Sequence, residues 1–236
     1  MQKITEATKY KEKRETGKGK DYKPWILTRE YSGQGTCYNP IDWKTGRQMQ
    51  LLTTGEYYYW YLYRWNDHVA DIREHYPLHI NETIKLAEML GLSHPAKGSD
   101  FIHMTTDLLL TLTDGTEKAI SVKDNRNALD DIKQLGYLYI EMKYWQMHDV
   151  PFEIVFREDI DSTLVNNVRL SVDYYDPMDV HDKTSLLKNL IAHKIVKPDL
   201  SKSIYFNELA DSIITDEFYE TFLQLRSKNP ENIYHA

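Results

Sequence analysis

The sequence predicts an α/β fold: a mixed sheet flanked by helices, followed by a smaller, mostly helical domain. Three observations lead there. Between residues 54 and 156, helical and strand periodicities alternate in the order helix, strand, helix, hairpin, helix, strand, a succession that lays helices on the faces of a sheet. The segment 104–123 reads as two short strands joined at Asp114-Gly115. After about residue 160, strand patterns give way to helical ones. The 236 residues then divide into a basic flexible arm (1–20), a larger domain (21–160) and a C-terminal helical domain (161–236), in line with roughly 150 residues per domain.

Taken in order, residues 1–20 are polar and glycine-containing, and are expected to be disordered or partly helical. Residues 21–50 carry aromatics with Gly33, Gly35 and Pro40, which suggests loops and short strands. The aromatic run from Thr54 to Asn66 reads as a helix. Val69 to Tyr76 reads as a strand ended by Pro77, and Glu82 to Leu90 as a helix stopped by Gly91. Residues 128–148 place Leu129, Ile132, Leu135, Leu138 and Met142 at helical spacing, and Phe152 to Phe156 reads as a buried strand. Lys183 to His193, Ile204 to Ile214 and Asp216 to Ser227 read as helices of the second domain.

Composition narrows the function classes. Hydrophobic content of 41% and charged content of 28% suit an ordinary globular protein. The single cysteine, Cys37, excludes a disulfide framework or a cysteine-rich zinc site and fits a reducing, bacterial cytoplasm. No secretion signal is read at the N-terminus. The run Tyr57 to Tyr63 is far shorter than the ~20 residues that span a bilayer. The net charge of -7 argues against nonspecific DNA coating. The charge is uneven, however: residues 1–50 carry a net of +5 and residues 158–236 a net of -6. A basic arm on an acidic body can bind phosphate locally.

The hairpin carries the candidate chemistry. Ser121 and Lys123 share a strand face. A two-residue Asp114-Gly115 loop would pair residue 107 with 122 and turn Asp107 to the opposite face. A three-residue loop, Thr113-Asp114-Gly115 with a left-handed glycine, pairs 107 with 121 and makes a site. An acid on one strand and x-Lys on the next is the skeleton of metal-dependent nucleases: Asp107 would hold the metal and Lys123 orient or activate water. Ser121 stands where such enzymes have a second acid, and one carboxylate is a poor Mg²⁺ site. Glu56 is the candidate to complete it, although Thr53-x-x-Glu56 is also a capping-box pattern. The two roles exclude each other for that side chain at any one moment.

Beyond the skeleton, ordered segments resemble the TnsA family, the endonuclease subunits of heteromeric cut-and-paste transposases. The segments are GKGKDYKPW at 17–25, KTGR at 44–47, LLTTGEYYYWYLYRW at 51–65, VADIREHYPL at 69–78, HMTTDLLL at 103–110, AISVK at 119–123 and MKYWQMHDVPF at 142–152. The resemblance implies a restriction-endonuclease-like domain followed by a winged-helix-like one. It carries the family's glutamate, aspartate and lysine onto Glu56, Asp107 and Lys123, and the family's glutamine onto Ser121, a change that leaves a metal contact through the backbone carbonyl intact but alters the site if the glutamine side chain takes part. It also implies cutting of the strand at the 5′ ends of the transposon, a TnsB-like transposase that processes the 3′ ends, and a TnsC-like ATPase contacted through the C-terminal domain. Compact relatives accompany CRISPR-guided transposons.

Effect sizes point to a cofactor. Phosphodiester hydrolysis needs acceleration toward the upper part of roughly 10⁶–10¹⁷, and a general base supplies only about 10²–10⁴. Glu56, Asp107 and Lys123 therefore make sense with Mg²⁺ or Mn²⁺ bound. The nine histidines form no HExxH pattern; His75 and His79 fall in a strand and loop and are expected to be solvated. The tyrosines of 57–63 are expected in the core. Lys18, Lys20, Lys23, Arg47 and Arg73 are candidate DNA phosphate contacts, with a neighbouring acid as the alternative partner for Arg73. Competing functions are a stand-alone restriction or repair nuclease and a scaffold bridging transposase and ATPase.

Overall fold

The computed structural model describes residues 4–33, 35–228 and 233–234. The chain divides into two compact units, residues 1–160 and 161–236. No described helix is long and apolar enough to cross a membrane.

The first unit contains α1 (Glu6–Lys11), α2 (Thr54–Trp65), β1 (Val69–Pro77), α3 (Ile80–Leu90), a two-residue pair β2 (Ala96–Lys97) and β3 (Asp100–Phe101), β4 (Thr105–Leu112), β5 (Glu117–Lys123), α4 (Ile132–Met147) and β6 (Phe152–Phe156). Its main sheet has the order β1-β4-β5-β6. The β1–β4 and β4–β5 pairs are antiparallel, while β5 and β6 are parallel. A parallel pair needs a long crossover, and α4 supplies it. Residues 126–129 form a 3-10 turn, and α4 begins only at Ile132. The reason is local: the Asp131 side chain caps it, accepting from the Lys133 and Gln134 amides.

Leu109 and Ala119 of the central strands pack with Leu86 and Ala87 of α3 and with Ile140, Tyr144 and Trp145 of α4. At about 1.5–3 kcal/mol per large buried side chain, such a cluster outweighs half-exposed ion pairs like Lys118–Glu153, worth about 0–1 kcal/mol. It holds α4 against the sheet beside the hairpin.

The described part of the basic arm is packed, contrary to the expectation of flexibility. Arg14 is buried, donating to both carboxylate oxygens of Glu30 at 2.6 Å and to Trp25 O at 3.2 Å. Tyr10 Oη pairs with His103 Nε2 at 2.7 Å, and the Gly19 amide donates to Asp71 at 2.9 Å. Polar composition suggested disorder; these long-range polar partners reverse it.

The second unit is helical: α5 (Ser162–Val172), α6 (Lys183–Ala192), α7 (Phe206–Ile213) and α8 (Asp216–Lys228). Val165, Val168, Leu186, Leu187, Leu190, Ile191, Phe206, Ala210 and Phe222 are buried. Asp182 and Ser185 form a reciprocal cap at the start of α6. Among the described residues this unit has no strand, so the β-wing of a winged helix is not seen in it.

Candidate active site

Turn chemistry positions the hairpin. The Gly115 amide donates to Leu112 O at 2.9 Å, and the Leu112 amide to Thr116 O at 2.7 Å. Residues 113–115 thus form a three-residue loop with Gly115 at φ 86°, a conformation that favours glycine. Leu108 pairs with Ile120 and Leu109 with Ala119, a register that continues to Asp107 opposite Ser121. Asp107 Oδ2 accepts the Val122 amide at 2.7 Å, and lies 3.4 Å from Ser121 Oγ and 3.5 Å from Lys123 Nζ. Lys123 Nζ also donates to Ser121 Oγ at 2.9 Å and Val122 O at 3.2 Å. The Ser121 hydroxyl therefore bridges the lysine and the aspartate. The Asp107 and Lys123 side chains remain 21% and 25% exposed, which leaves them reachable by a phosphodiester.

Glu56 comes from α2. Its helix starts close to the sheet because residue 55 is glycine: a Cβ there would sit 2.9 Å from Val122 Cγ1. The Glu56 carboxylate is buried and makes the helix-start bonds expected of its spacing, one residue displaced. Oε2 accepts the Leu52 amide at 2.8 Å, Oε1 accepts the Thr53 hydroxyl at 3.1 Å, and the Glu56 amide donates to Thr53 Oγ1 at 3.1 Å. Oε2 also lies 3.4 Å from His75 Nε2. Burial raises the Glu56 pKa, His75 opposes that rise and the Asp107 charge adds to it.

A third carboxylate was missed in the sequence. Glu141 of α4 is buried, and its Oε1 accepts from Thr106 Oγ1 at 2.8 Å, which in turn accepts from Trp145 Nε1 at 2.6 Å. Burial pushes its pKa up to about 8; the Asp107 charge adds to this, while Lys123 and the bonds to Thr106 and Ser121 oppose it. The signal was present: Glu141 lies between Leu138 and Trp145 on the buried stripe of α4, where an acid has no reason to be unless it is partnered. Burial pulls the Lys123 pKa down, but Asp107, Glu141 and its own hydrogen bonds leave it above the ordinary lysine value.

Three carboxylates and one ammonium around Asp107 form a site short of positive charge. Among the described residues, no three His, Cys, Asp or Glu side chains form a ready-made metal cage. The donor chemistry nevertheless suits Mg²⁺ or Mn²⁺, which bind through one or two carboxylates completed by water and substrate oxygens; Asp107 and Glu56 are the residues that would hold the ion.

Residues 66–156 match the family model of the TnsA-like endonuclease N-terminal domain. The chain is also 35% identical over 165 residues to the transposon Tn7 transposition protein TnsA of Escherichia coli, an alignment covering 69% of this chain and 60% of that protein. Over the matched stretch, the chain is TnsA-like. It thus spans less than two thirds of the length of that relative. The matched stretch of the TnsA-like domain contains Asp107, Ser121, Lys123 and Glu141, while Glu56 precedes it.

The candidate phosphate contacts of this TnsA-like protein separate into two groups. Lys18, Lys20 and Lys23 are exposed. Arg47 is not available: it is buried, bonded to both Glu74 oxygens at 2.7 Å and to Ile72 O at 2.8 Å. Arg73 is likewise buried, paired with Glu117 and bonded to Thr111 Oγ1 at 3.2 Å, so the acid-partner alternative holds. Acids distant in sequence draw both in: the buried Glu74 holds Arg47 and the partly buried Glu117 holds Arg73. His79 is exposed as expected, whereas His75 is 1% exposed rather than solvated. In the aromatic helix Trp60 and Tyr61 are buried, while Tyr57, Tyr58, Tyr59 and Tyr63 are partly covered.

Proposed function

We propose that this TnsA-like protein is a divalent-metal-dependent DNA endonuclease acting as a subunit of a heteromeric transposase, and that it hydrolyses the strand at the 5′ ends of the transposon. The observation that carries the reading is the contact of Asp107 with Lys123 at a solvent-reachable end of the two central strands, with Glu56 and Glu141 buried beside it. A bound Mg²⁺ or Mn²⁺ would supply an activated water and neutralise charge on the scissile phosphate.

The chain's own residues set the remaining roles. Despite burial, Asp107 and Glu141 hold the Lys123 pKa above the ordinary lysine value, which keeps its ammonium charged near neutral pH. Lys123 therefore serves as a charged donor that holds the phosphate or the attacking water, and not as the resting general base. Asp107 is anchored by the Val122 amide, which keeps its other oxygen free to bind. Glu141, near neutrality by virtue of burial, holds Thr106 and faces Lys123 without adding a full charge.

Partner contacts follow from the relationship to the transposition protein: a TnsB-like transposase processing the 3′ ends and a TnsC-like ATPase met through the C-terminal unit. The test is Asp107→Ala in transposition reconstituted with those partners. Loss of 5′-end cutting with 3′-end joining retained, giving joined rather than simple insertion products, is the expected result. Undiminished simple insertion would overturn the assignment.

A further inference from the structure

Among the described residues, His75 is a buried side chain at this site whose chemistry is unused. Its neighbours pair as Glu74 with Leu108 and Tyr76 with Thr106, so it stands directly across the ladder from Asp107. Its Nε2 is buried without a hydrogen-bond partner. Leaving a buried polar atom unpaired is costly, and such atoms mark places where a function or an unseen partner compensates.

The backbone aims the ring. His75 has φ 48°, a left-handed conformation unusual within a strand. Its flanks are pinned: the Trp25 amide donates to His75 O at 3.3 Å and Tyr22 Oη to Glu74 O at 3.0 Å. Strained residues persist where surrounding structure over-determines them, and they cluster at sites of function. Here the consequence is that Nε2 points at Glu56 Oε2, 3.4 Å away, just beyond a good hydrogen bond.

Glu56 meanwhile spends its carboxylate on the Leu52 amide and the Thr53 hydroxyl. Ligating an ion beside Asp107 competes with those bonds for the same carboxylate. We propose that His75 is a positioning residue for Glu56: Nε2–H takes over as donor when the carboxylate turns from the helix start toward Asp107, and holds it there. The inference rests on the metal-site reading above. It removes the conflict between capping and ligation by making them two orientations of one side chain, and it gives the unpaired nitrogen its partner in the second. Outer partners of this kind typically change metal affinity by about 10–100-fold.

The test is Mn²⁺ binding to the full chain by titration calorimetry, with Mn²⁺ spin-echo spectra alongside. His75→Asn keeps a residue type that tolerates the left-handed backbone but is too short to reach Glu56; His75→Gln places an amide donor near the position of Nε2. The expected result is roughly tenfold weaker binding for His75→Asn, recovery to within about twofold for His75→Gln, and no further loss from His75→Asn in a Glu56→Gln background. Equal affinity of His75→Asn and wild type overturns the proposal, as does an additive loss in the Glu56→Gln background. Nitrogen modulation from a histidine in the Mn²⁺ spectrum overturns it too, since His75 would then be a ligand. A wild-type chain that binds no Mn²⁺, or binds it equally after Asp107→Ala, removes the metal-site reading and this proposal together; the earlier outcomes remove the proposal alone.

Discussion

Lys123 Nζ lies 3.5 Å from Asp107 Oδ2 although the two residues are 16 positions apart. A three-residue turn accounts for that meeting. The same lysine touches Ser121 Oγ, so the serine that occupies the slot of a second acid links the ammonium and the aspartate through its hydroxyl. Replacing Lys123 with Met is expected to lower single-turnover cleavage of a transposon-end duplex by about 10²–10³, the usual loss for one transition-state donor. Mn²⁺ binding should survive, because neither carboxylate ligand is removed. Calorimetry and quenched cleavage together check this, and wild-type cleavage by the variant would contradict the role of Lys123.

The turn itself can be tested. Gly115 sits at φ 86°, where a side chain costs about 1–2 kcal/mol. Gly115→Val should therefore lower stability by about that amount in urea unfolding. Should the loop shorten by a residue, Asp107 would swing to the opposite sheet face and cleavage would fall far more than stability. A variant with wild-type stability would mean the left-handed turn is absent in solution.

Glu141 predicts a pH dependence. Its pKa rises from 4.5 in the unfolded chain to about 8 in the folded one. The folded state holds the proton more tightly, so the stabilisation is fully present below pH 4.5 and is lost as pH rises through about 8. The upper bound over that window is on the order of 4 kcal/mol. Glu141→Gln, which stays neutral, should gain stability relative to wild type on going from pH 5 to pH 8 without added metal. Urea midpoints for both proteins at the two pH values decide it; parallel curves would show that Glu141 does not titrate in this way.

Arg47 and the exposed lysines should behave oppositely. Arg47→Ala strands Glu74, which is 0% exposed, and should cost about 3–5 kcal/mol of stability with little change in the salt dependence of DNA binding by the folded fraction. Lys18, Lys20 and Lys23 replaced together by Gln should leave stability nearly unchanged and reduce the slope of log K against log salt by up to about 3. Fluorescence anisotropy across a salt series distinguishes these. An unchanged slope would remove the N-terminal segment from the DNA-contacting surface.

Much of the fold was legible because its signals are local. Thr53 before α2 and Gly91 after α3 begin or end helices through bonds spanning a few residues. Glycine last suited a three-residue loop, but the tertiary structure chose between the two registers and so put Asp107 and Lys123 on one face. The contacts that complete the site and neutralise its surroundings are of another kind. Arg47 finds Glu74 across 27 positions, Arg73 finds Glu117 across 44, and Thr106 finds Glu141 across 35. Periodicity tells which face of an element is covered but carries no information about which distant group covers it. A charged residue on a strand therefore looks solvent-facing until the fold supplies its partner. The sequence by itself determined most of the elements and singled out Asp107, Ser121 and Lys123 as the hairpin's candidate residues. Only the tertiary structure decided that Glu141 and His75 belong to the site and that Arg47 and Arg73 do not, because burial and its electrostatic cost exist only once the chain has closed around them.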